Sequence, residues 1–317
     1  MPETSKFITK EIAFIFPGQG SQTVGMLSDY SNTPEVIQTF QQASDTLGYD
    51  LWKLCQTGTE EELGQTEIAQ PALLTASVAL WRVWQQKAVL PSILAGHSLG
   101  EYSALVCAGV LDFEQAVKLV EQRGICMQQA VPVGTGKMGA IIGLDDEKVK
   151  QACVASAQNE VVSPVNYNSP GQVVIAGNAE AVERAIQACK ESGAKKAIPL
   201  AVSVPSHCLL MKPASEKLKM LLTSVALNRP KISVVNNVDV KIEGSSNKIK
   251  DALVRQLYNP VKWSECIKFI ADQGFNSLVE CGSGKVLSGL NRRIDKNLIS
   301  YQTNLLTSLN QAFTALT

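Results

Sequence analysis

VLPSILAGHSLGEYSALVCAG, residues 89–109, is the stretch on which the fold turns. An apolar run, Val89 to Ala95, predicts a buried strand. Gly96-His97-Ser98-Leu99-Gly100 then matches G-x-S-x-G, a nucleophilic serine on a sharp strand-to-helix turn. Such a turn crowds its neighbours, and glycine at 96 and 100 removes side chains from the crowded positions. LGEYSALVCAGVL reads as a helix opening just after the serine, so backbone N–H groups and the positive end of a helix dipole gather at Ser98. A buried strand feeding a helix through such a turn predicts an α/β fold.

The flanking sequence extends this. EIAFIFPGQGSQ (11–22) is a second buried strand ending in a glycine loop. PALLTASVALWRVWQQ from Pro71 predicts a helix with proline in its first turn. DFEQAVKLVEQRGICMQQAV predicts another, with Asp112 and Gln115 placed as in a capping box. From about residue 137 the pattern becomes strand MGAIIGL, helix DDEKVKQACVASAQ, strand VVSPVNYN, turn SPGQ, strand VVIAG, helix NAEAVERAIQACKESG and strand KKAIPLAV. Asn178 caps that second helix and Gly193 stops it. The order βαββαβ is ferredoxin-like and predicts a small subdomain, 137–202, inserted in a larger domain made of 1–136 and 203–317. Beyond it lie the helix CLLMKPASEKLKMLLTSV, the strands ISVVNNV and SLVECG with the helix WSECIKFIADQG between them, and a polar loop at 241–250.

At 317 residues the chain is long enough for two domains. Its 29 basic and 29 acidic residues cancel, so no global field favours nucleic acid or an anionic membrane. MPETSKFITK has no apolar signal region, and no apolar run approaches the roughly 18 residues of a membrane span. The eight cysteines form no C-x-x-C pair and read as reduced thiols of a cytoplasmic protein. Two histidines and scattered cysteines predict no metal site.

Ser98 is the candidate nucleophile. Adjacent side chains diverge at such a turn, so His97 reads as structural, and His207 in AVSVPSHCLL is the remaining imidazole able to activate the serine. No acid between 98 and 207 has a setting that marks it as the partner of His207, which leaves that partner open. The loop FPGQGSQ offers a backbone N–H, such as that of Gln19, beside that of Leu99 as an oxyanion hole. Arg123 falls on the apolar stripe Ala116, Val120, Gly124, Met127. A buried guanidinium needs an anion, either an internal carboxylate or the carboxylate of a substrate. GTGKMG (134–139) matches G-x-G-x-x-G but leads into a strand, whereas a dinucleotide loop follows one.

FIFPGQGSQTVGM, GHSLGEYSALVCAG, VEQRGICMQQA, VSVPSH and VRQLYNPVKW, in this order from about residue 11 to 294, resemble the bacterial malonyl-CoA:acyl carrier protein transacylases of type II fatty acid synthesis. The resemblance implies a hydrolase-like large domain with a parallel sheet and nucleophile elbow, plus a ferredoxin-like small subdomain. It implies Ser98 as carrier of a malonyl ester, His207 as base then acid, Gln19 and Leu99 as oxyanion donors, and Arg123 as the grip on the malonate carboxylate. It also implies that Gln256 orients His207 through a carbonyl, and that Met127 and Asn166 line the substrate site. A neutral partner for His207 would disfavour a full imidazolium and weaken water activation, with Gln256→Glu as the probe of that idea. The substrates would be malonyl-CoA and, transiently, holo acyl carrier protein. No cofactor, nucleic acid or membrane enters, and the chain would act as a cytoplasmic monomer. Lys190, Lys195, Lys196, Lys285, Arg292 and Arg293 are candidates for an acidic carrier's docking site. The chain has Ser283 in ECGSGKVLSGL where the family usually has proline, which predicts a slightly looser turn. The alternatives are a serine esterase or thioesterase, which gives Arg123 no role, and a non-catalytic binding module, which gives Ser98 and His207 none.

Overall fold

The computed structural model describes residues 8–87, 89–200, 202 and 204–316. Its first sheet contains β1 (Ile8–Phe16), β2 (Val89–Gly96), β7 (Ser233–Val235), β8 (Ser277–Glu280) and β9 (Ile299–Gln302) in the order β7-β2-β1-β8-β9. Every neighbouring pair in it is parallel. The alternation of β1 explains why this sheet is buried on both faces. Phe14 and Phe16 pack on one side with Trp81 and Trp84, whereas Ala13 and Ile15 pack on the other with Trp263 and Ile267. On the first side Trp84 lies between Phe14, edge-on at 4.9 Å, and Phe313, stacked at 4.3 Å, and donates its indole N–H to Val89 O at 2.6 Å. The tryptophan thus buries its ring without stranding its polar atom.

The second sheet contains β3 (Gly136–Ile142), β4 (Val162–Ser169), β5 (Gln172–Asn178) and β6 (Lys196–Pro199) in the order β4-β5-β3-β6, antiparallel throughout. Helices Asp146–Ser156 and Ala179–Glu191 cover it. They share with it a separate core that includes Ile141, Val149, Ile175, Val182 and Ile186. The chain is therefore an α/β protein in which a parallel sheet carries the elbow and an antiparallel βαββαβ unit is inserted between β2 and β7.

Some local expectations fail for identifiable reasons. The helix expected to begin at Pro71 spans Thr66–Gln85, with Pro71 in its interior. It starts one and a half turns early because Gln65 O accepts from the N–H groups of Ile68 and Ala69. Asn178 does not cap the helix it precedes; its side chain accepts from Val161 N at 2.9 Å, tying β5 to the entry of β4. The polar segment 241–250 is half helix, because Ser246–Gln256 begins within it. Ser283 is buried and its hydroxyl has no partner among the described residues. All eight cysteines are buried and unpaired.

Candidate active site

Parallel sheets present their functional residues at the carboxyl ends of the strands, and this sheet does so three times. β2 ends at Gly96 and delivers Ser98, β1 ends at Phe16 and delivers Gln19, and β7 ends at Val235 and delivers Asn237. Ser98 has φ 52°, in the left-handed region that a serine adopts only under constraint. The constraint is visible in the side chains that hold its backbone. Asn237 Oδ1 accepts from Ser98 N at 2.8 Å, and Gln256 Nε2 donates to Ser98 O at 3.1 Å. Asn237 also donates through Nδ2 to Gly96 O at 2.7 Å, so one asparagine clamps both sides of the turn.

His207 Nε2 lies 2.8 Å from Ser98 Oγ. His207 Nδ1 lies 2.7 Å from the main-chain oxygen of Gln256. A carbonyl can only accept, so Nδ1 carries the proton and the Nε2 lone pair faces the serine hydroxyl, the arrangement of a general base. Burial, reinforced by the nearby Arg123 charge, lowers the His207 pKa from 6.5 to about 3, against the pull of the Gln256 carbonyl. The folded state thus keeps this ring neutral where the unfolded chain takes up a proton. The imidazole contributes stability above pH 6.5 that is lost as pH falls towards 3, at about 1.4 kcal/mol per pH unit. Urea unfolding of the wild type and of His207→Gln checks this. The stability gap between them should shrink by roughly 2 kcal/mol from pH 6.5 to 5, and an unchanged gap would mean a charged imidazole in the folded protein.

His97 points elsewhere. Its Nε2 is 2.8 Å from Asn168 Oδ1 on β4, and its ring lies 5.5 Å from that of Trp263. The diverging geometry expected at an elbow therefore holds, and His97 ties the elbow to the antiparallel sheet.

Arg123 is 1 % exposed, on the helix Phe113–Gln128. That helix approaches Thr66–Gln85 closely at Gly124, where a Cβ would stand 2.6 Å from Glu67 Cα. The approach brings Arg123 Nη1 to Gln70 Oε1 at 2.7 Å. Nη2 donates to Gln256 Oε1 at 3.1 Å and to Ser98 Oγ at 3.3 Å, and the guanidinium carbon sits 5.3 Å from the centre of the Tyr102 ring. Among the described residues no carboxylate forms an ion pair with it. The internal salt bridge that the sequence left open is absent among them, and its hydrogen-bond acceptors are neutral. Burial lowers its pKa, opposed by Tyr102 and Glu101.

These groups open onto a cleft of about 360 Å³ between the two sheets. Gln19, Leu99, Met127 and Asn166 line it. The Gln19 and Leu99 backbone N–H groups have no hydrogen-bond partner among the described residues. The Gln19 side chain turns away to Thr66 Oγ1 at 3.3 Å. Met127 is buried with its sulfur 3.5 Å from Gln70 Nε2. Asn166, at a bulge in β4, has its Oδ1 buried without a partner among the described residues.

The sequence reading left several features of this site unspecified. A carbonyl of Gln256 does face His207, as expected, but it is the main-chain one, so Gln256→Glu would leave the partner of the imidazole neutral and does not probe it. The Gln256 side chain serves Arg123 and the elbow instead. Glu101, Asn237 and Gln70 belong to the same buried network. Their only sequence signals were a charge one turn past the nucleophile, an asparagine at the end of a buried strand, and a lone polar residue before Pro71 in an apolar helix.

A model of the acyl transferase domain family matches residues 13–290. The malonyl CoA-acyl carrier protein transacylase of Salmonella typhimurium is 60% identical over 306 residues, covering 96% of this chain and 99% of that protein. The crystal structure of an acyl carrier protein S-malonyltransferase from Vibrio cholerae superposes with a TM-score of 0.93 at 60% identity, covering 95% of this chain and 99% of that one. A malonyl-transacylase solved in complex with its type II PKS acyl-carrier protein gives a TM-score of 0.95 at 60% identity, covering 96% of this chain and 100% of that one.

Proposed function

The chain belongs to the acyl transferase family, among its malonyl CoA-acyl carrier protein transacylases, and we infer that Ser98, His207 and Arg123 are the residues with which it works. It is an enzyme that moves a malonyl group from malonyl-CoA to acyl carrier protein, in fatty acid synthesis. The observation that carries the residue assignment is Arg123: a buried guanidinium with neutral acceptors, 3.3 Å from the nucleophile oxygen. A short acyl chain esterified to Ser98 and ending in a carboxylate would meet that guanidinium within hydrogen-bond reach. A hydrolase of neutral esters has no use for it.

In the first half-reaction His207 Nε2 takes the Ser98 hydroxyl proton as Oγ attacks the thioester carbonyl of malonyl-CoA. The oxyanion is received by the Leu99 and Gln19 N–H groups, donors of a kind worth about 3 kcal/mol each. The C–S bond breaks, and the CoA thiolate leaves with the proton from His207. In the second half-reaction the phosphopantetheine thiol of the carrier gives its proton to His207 and attacks the malonyl ester. Ser98 Oγ leaves and recovers the proton. Met127 and Asn166 wall the acyl and thioester arm. The phosphopantetheine belongs to the substrates, so this chemistry calls for no cofactor of the chain's own.

The division into 1–136 with 203–317 and the insertion 137–202 agrees with the separate core of the antiparallel sheet. Lys285 and Arg292 line a second groove along the helix Val286–Ile294, whose Val286 and Leu290 wall the active-site cleft. This is where we place an acidic carrier. Among the described residues no helix is long and apolar enough to cross a membrane. A cytoplasmic monomer without a nucleic-acid partner is the form we assign.

Intact-protein mass spectrometry tests the reading. Malonyl-CoA should add one malonyl group to the wild type and none to Ser98→Ala, and holo acyl carrier protein should then remove it and carry it. An adduct lost to water while the carrier stays unmodified would make the protein a thioesterase.

A further inference from the structure

Arg123 raises an electrostatic question. A guanidinium this deeply buried is heavily penalised unless a negative charge offsets it, yet no ion-pair partner touches it among the described residues. The offsetting charge lies one residue further in. Glu101, 3 % exposed in the first turn of the helix Gly100–Cys107, accepts through Oε2 from Asn237 N at 3.0 Å and from Gln256 Nε2 at 2.8 Å. The same amide nitrogen faces Ser98 O at 3.1 Å and Asn237 Oδ1 at 3.3 Å, while Gln256 Oε1 accepts from Arg123 at 3.1 Å. Turning this carboxamide over would set its oxygen against three oxygens and its NH2 against the guanidinium. Its orientation is therefore fixed, and it presents its negative end to Arg123 because Glu101 holds its positive end.

We propose that Glu101 is the counter-charge of Arg123 held at one remove, with the neutral Gln256 carboxamide as spacer, and that this spacing makes the site select acyl groups that carry a carboxylate. A carboxylate placed directly on Arg123 would neutralise the guanidinium and compete with the substrate for it. An amide supports it without occupying its charge. Glu101 and Gln256 are here positioning residues acting through Arg123: Glu101 offsets the buried charge at a cost in malonyl affinity, and Gln256, by keeping that carboxylate off the guanidinium, preserves the selection. The inference rests on the assignment of Arg123 to the malonyl carboxylate. Burial outweighs the downward pull of the Asn237 N–H, the Gln256 amide and Arg123 and raises the Glu101 carboxyl to about 7, so the test is run above that value, at pH 8.

Binding in a Ser98→Ala background at pH 8, measured calorimetrically, separates the possibilities without turnover. The parent should bind malonyl-CoA about tenfold or more tighter than acetyl-CoA. Adding Glu101→Gln removes the counter-charge and keeps an acceptor for the Gln256 amide. Malonyl-CoA should then bind about threefold tighter or more, with acetyl-CoA unmoved. The exchange Glu101→Gln with Gln256→Glu keeps the net charge but sets the carboxylate on Arg123, and malonyl-CoA should fall to the affinity of acetyl-CoA. An exchange variant that keeps the parent's preference would overturn the proposal. So would a Glu101→Gln variant in which malonyl-CoA binds equally or more weakly, and that single change decides the matter if thermal melts show the exchange variant unfolded. A parent without any preference would overturn the Arg123 assignment and this proposal together. A preference untouched by either change would overturn this proposal alone.

Discussion

His207→Ala is expected to slow formation of the malonyl-enzyme by roughly 10⁴-fold, read as CoA release in a single turnover. The size follows from how little else can take the Ser98 proton. His207 Nε2 is the basic atom at 2.8 Å from Oγ, and the other hydrogen bond to Oγ comes from Arg123, which only donates. His97 cannot substitute, because its Nε2 is engaged by Asn168 on the far side of the elbow. The imidazole is also preorganised. The Gln256 carbonyl fixes its tautomer, and its backbone, at φ 66°, is held by the bond from its N–H to Leu257 O at 3.0 Å. The residual rate in the variant should come from the oxyanion donors and from Arg123, which remain in place. A loss below tenfold would mean that another group is the base. Wild-type-like far-UV and near-UV spectra are the check that the variant is folded.

How far this site was readable in advance depends on what kind of atom does each job. Ser98 was legible because a tight turn imposes glycine at fixed spacing, and His207 because the chain has two histidines and the elbow disqualifies one. Arg123 was legible because a charge on an apolar helical stripe is anomalous by itself. The partner of His207 was not, since a main-chain carbonyl has no residue signature and any residue at 256 would supply one. Its assignment to a carbonyl of Gln256 came from resemblance, and in the structure that carbonyl is the main-chain one. Glu101, Asn237 and Gln70 escaped for another reason. Each is a single polar residue in an ordinary local setting, and their common purpose exists only where α-helices and strand ends far apart in sequence converge. The fold divides the same way. Periodicity located the strands of both sheets before β9, but the parallel order β7-β2-β1-β8-β9 depends on pairings between segments up to hundreds of residues apart, which no local pattern encodes.

Gly100→Ala should destabilise the protein by about 3 kcal/mol or more and abolish transfer, because the added methyl has nowhere to go. Its Cβ would lie 2.1 Å from Phe16 O, 2.7 Å from Phe16 C and 2.9 Å from Pro17 O. All three are backbone atoms at the end of β1, where Phe16 pairs with Gly96 and Phe16 O accepts from His97 N at 2.9 Å. A flexible side chain could swing aside; this backbone can move only by opening the β1–β2 pairing that sets Gln19 beside Leu99. Stability and oxyanion geometry therefore fail together, and the folded fraction that survives should also be inactive. Gly289→Ala is the matched control. It sits within the helix Val286–Ile294 with nothing within 4 Å of the added Cβ, so the same change should stabilise by roughly 0.5–1 kcal/mol through helix propensity. Urea melts of the two variants should thus move in opposite directions. If Gly100→Ala melts and transfers malonyl like the wild type, the turn at Ser98 is looser than these contacts require, and the oxyanion site must be built from other donors.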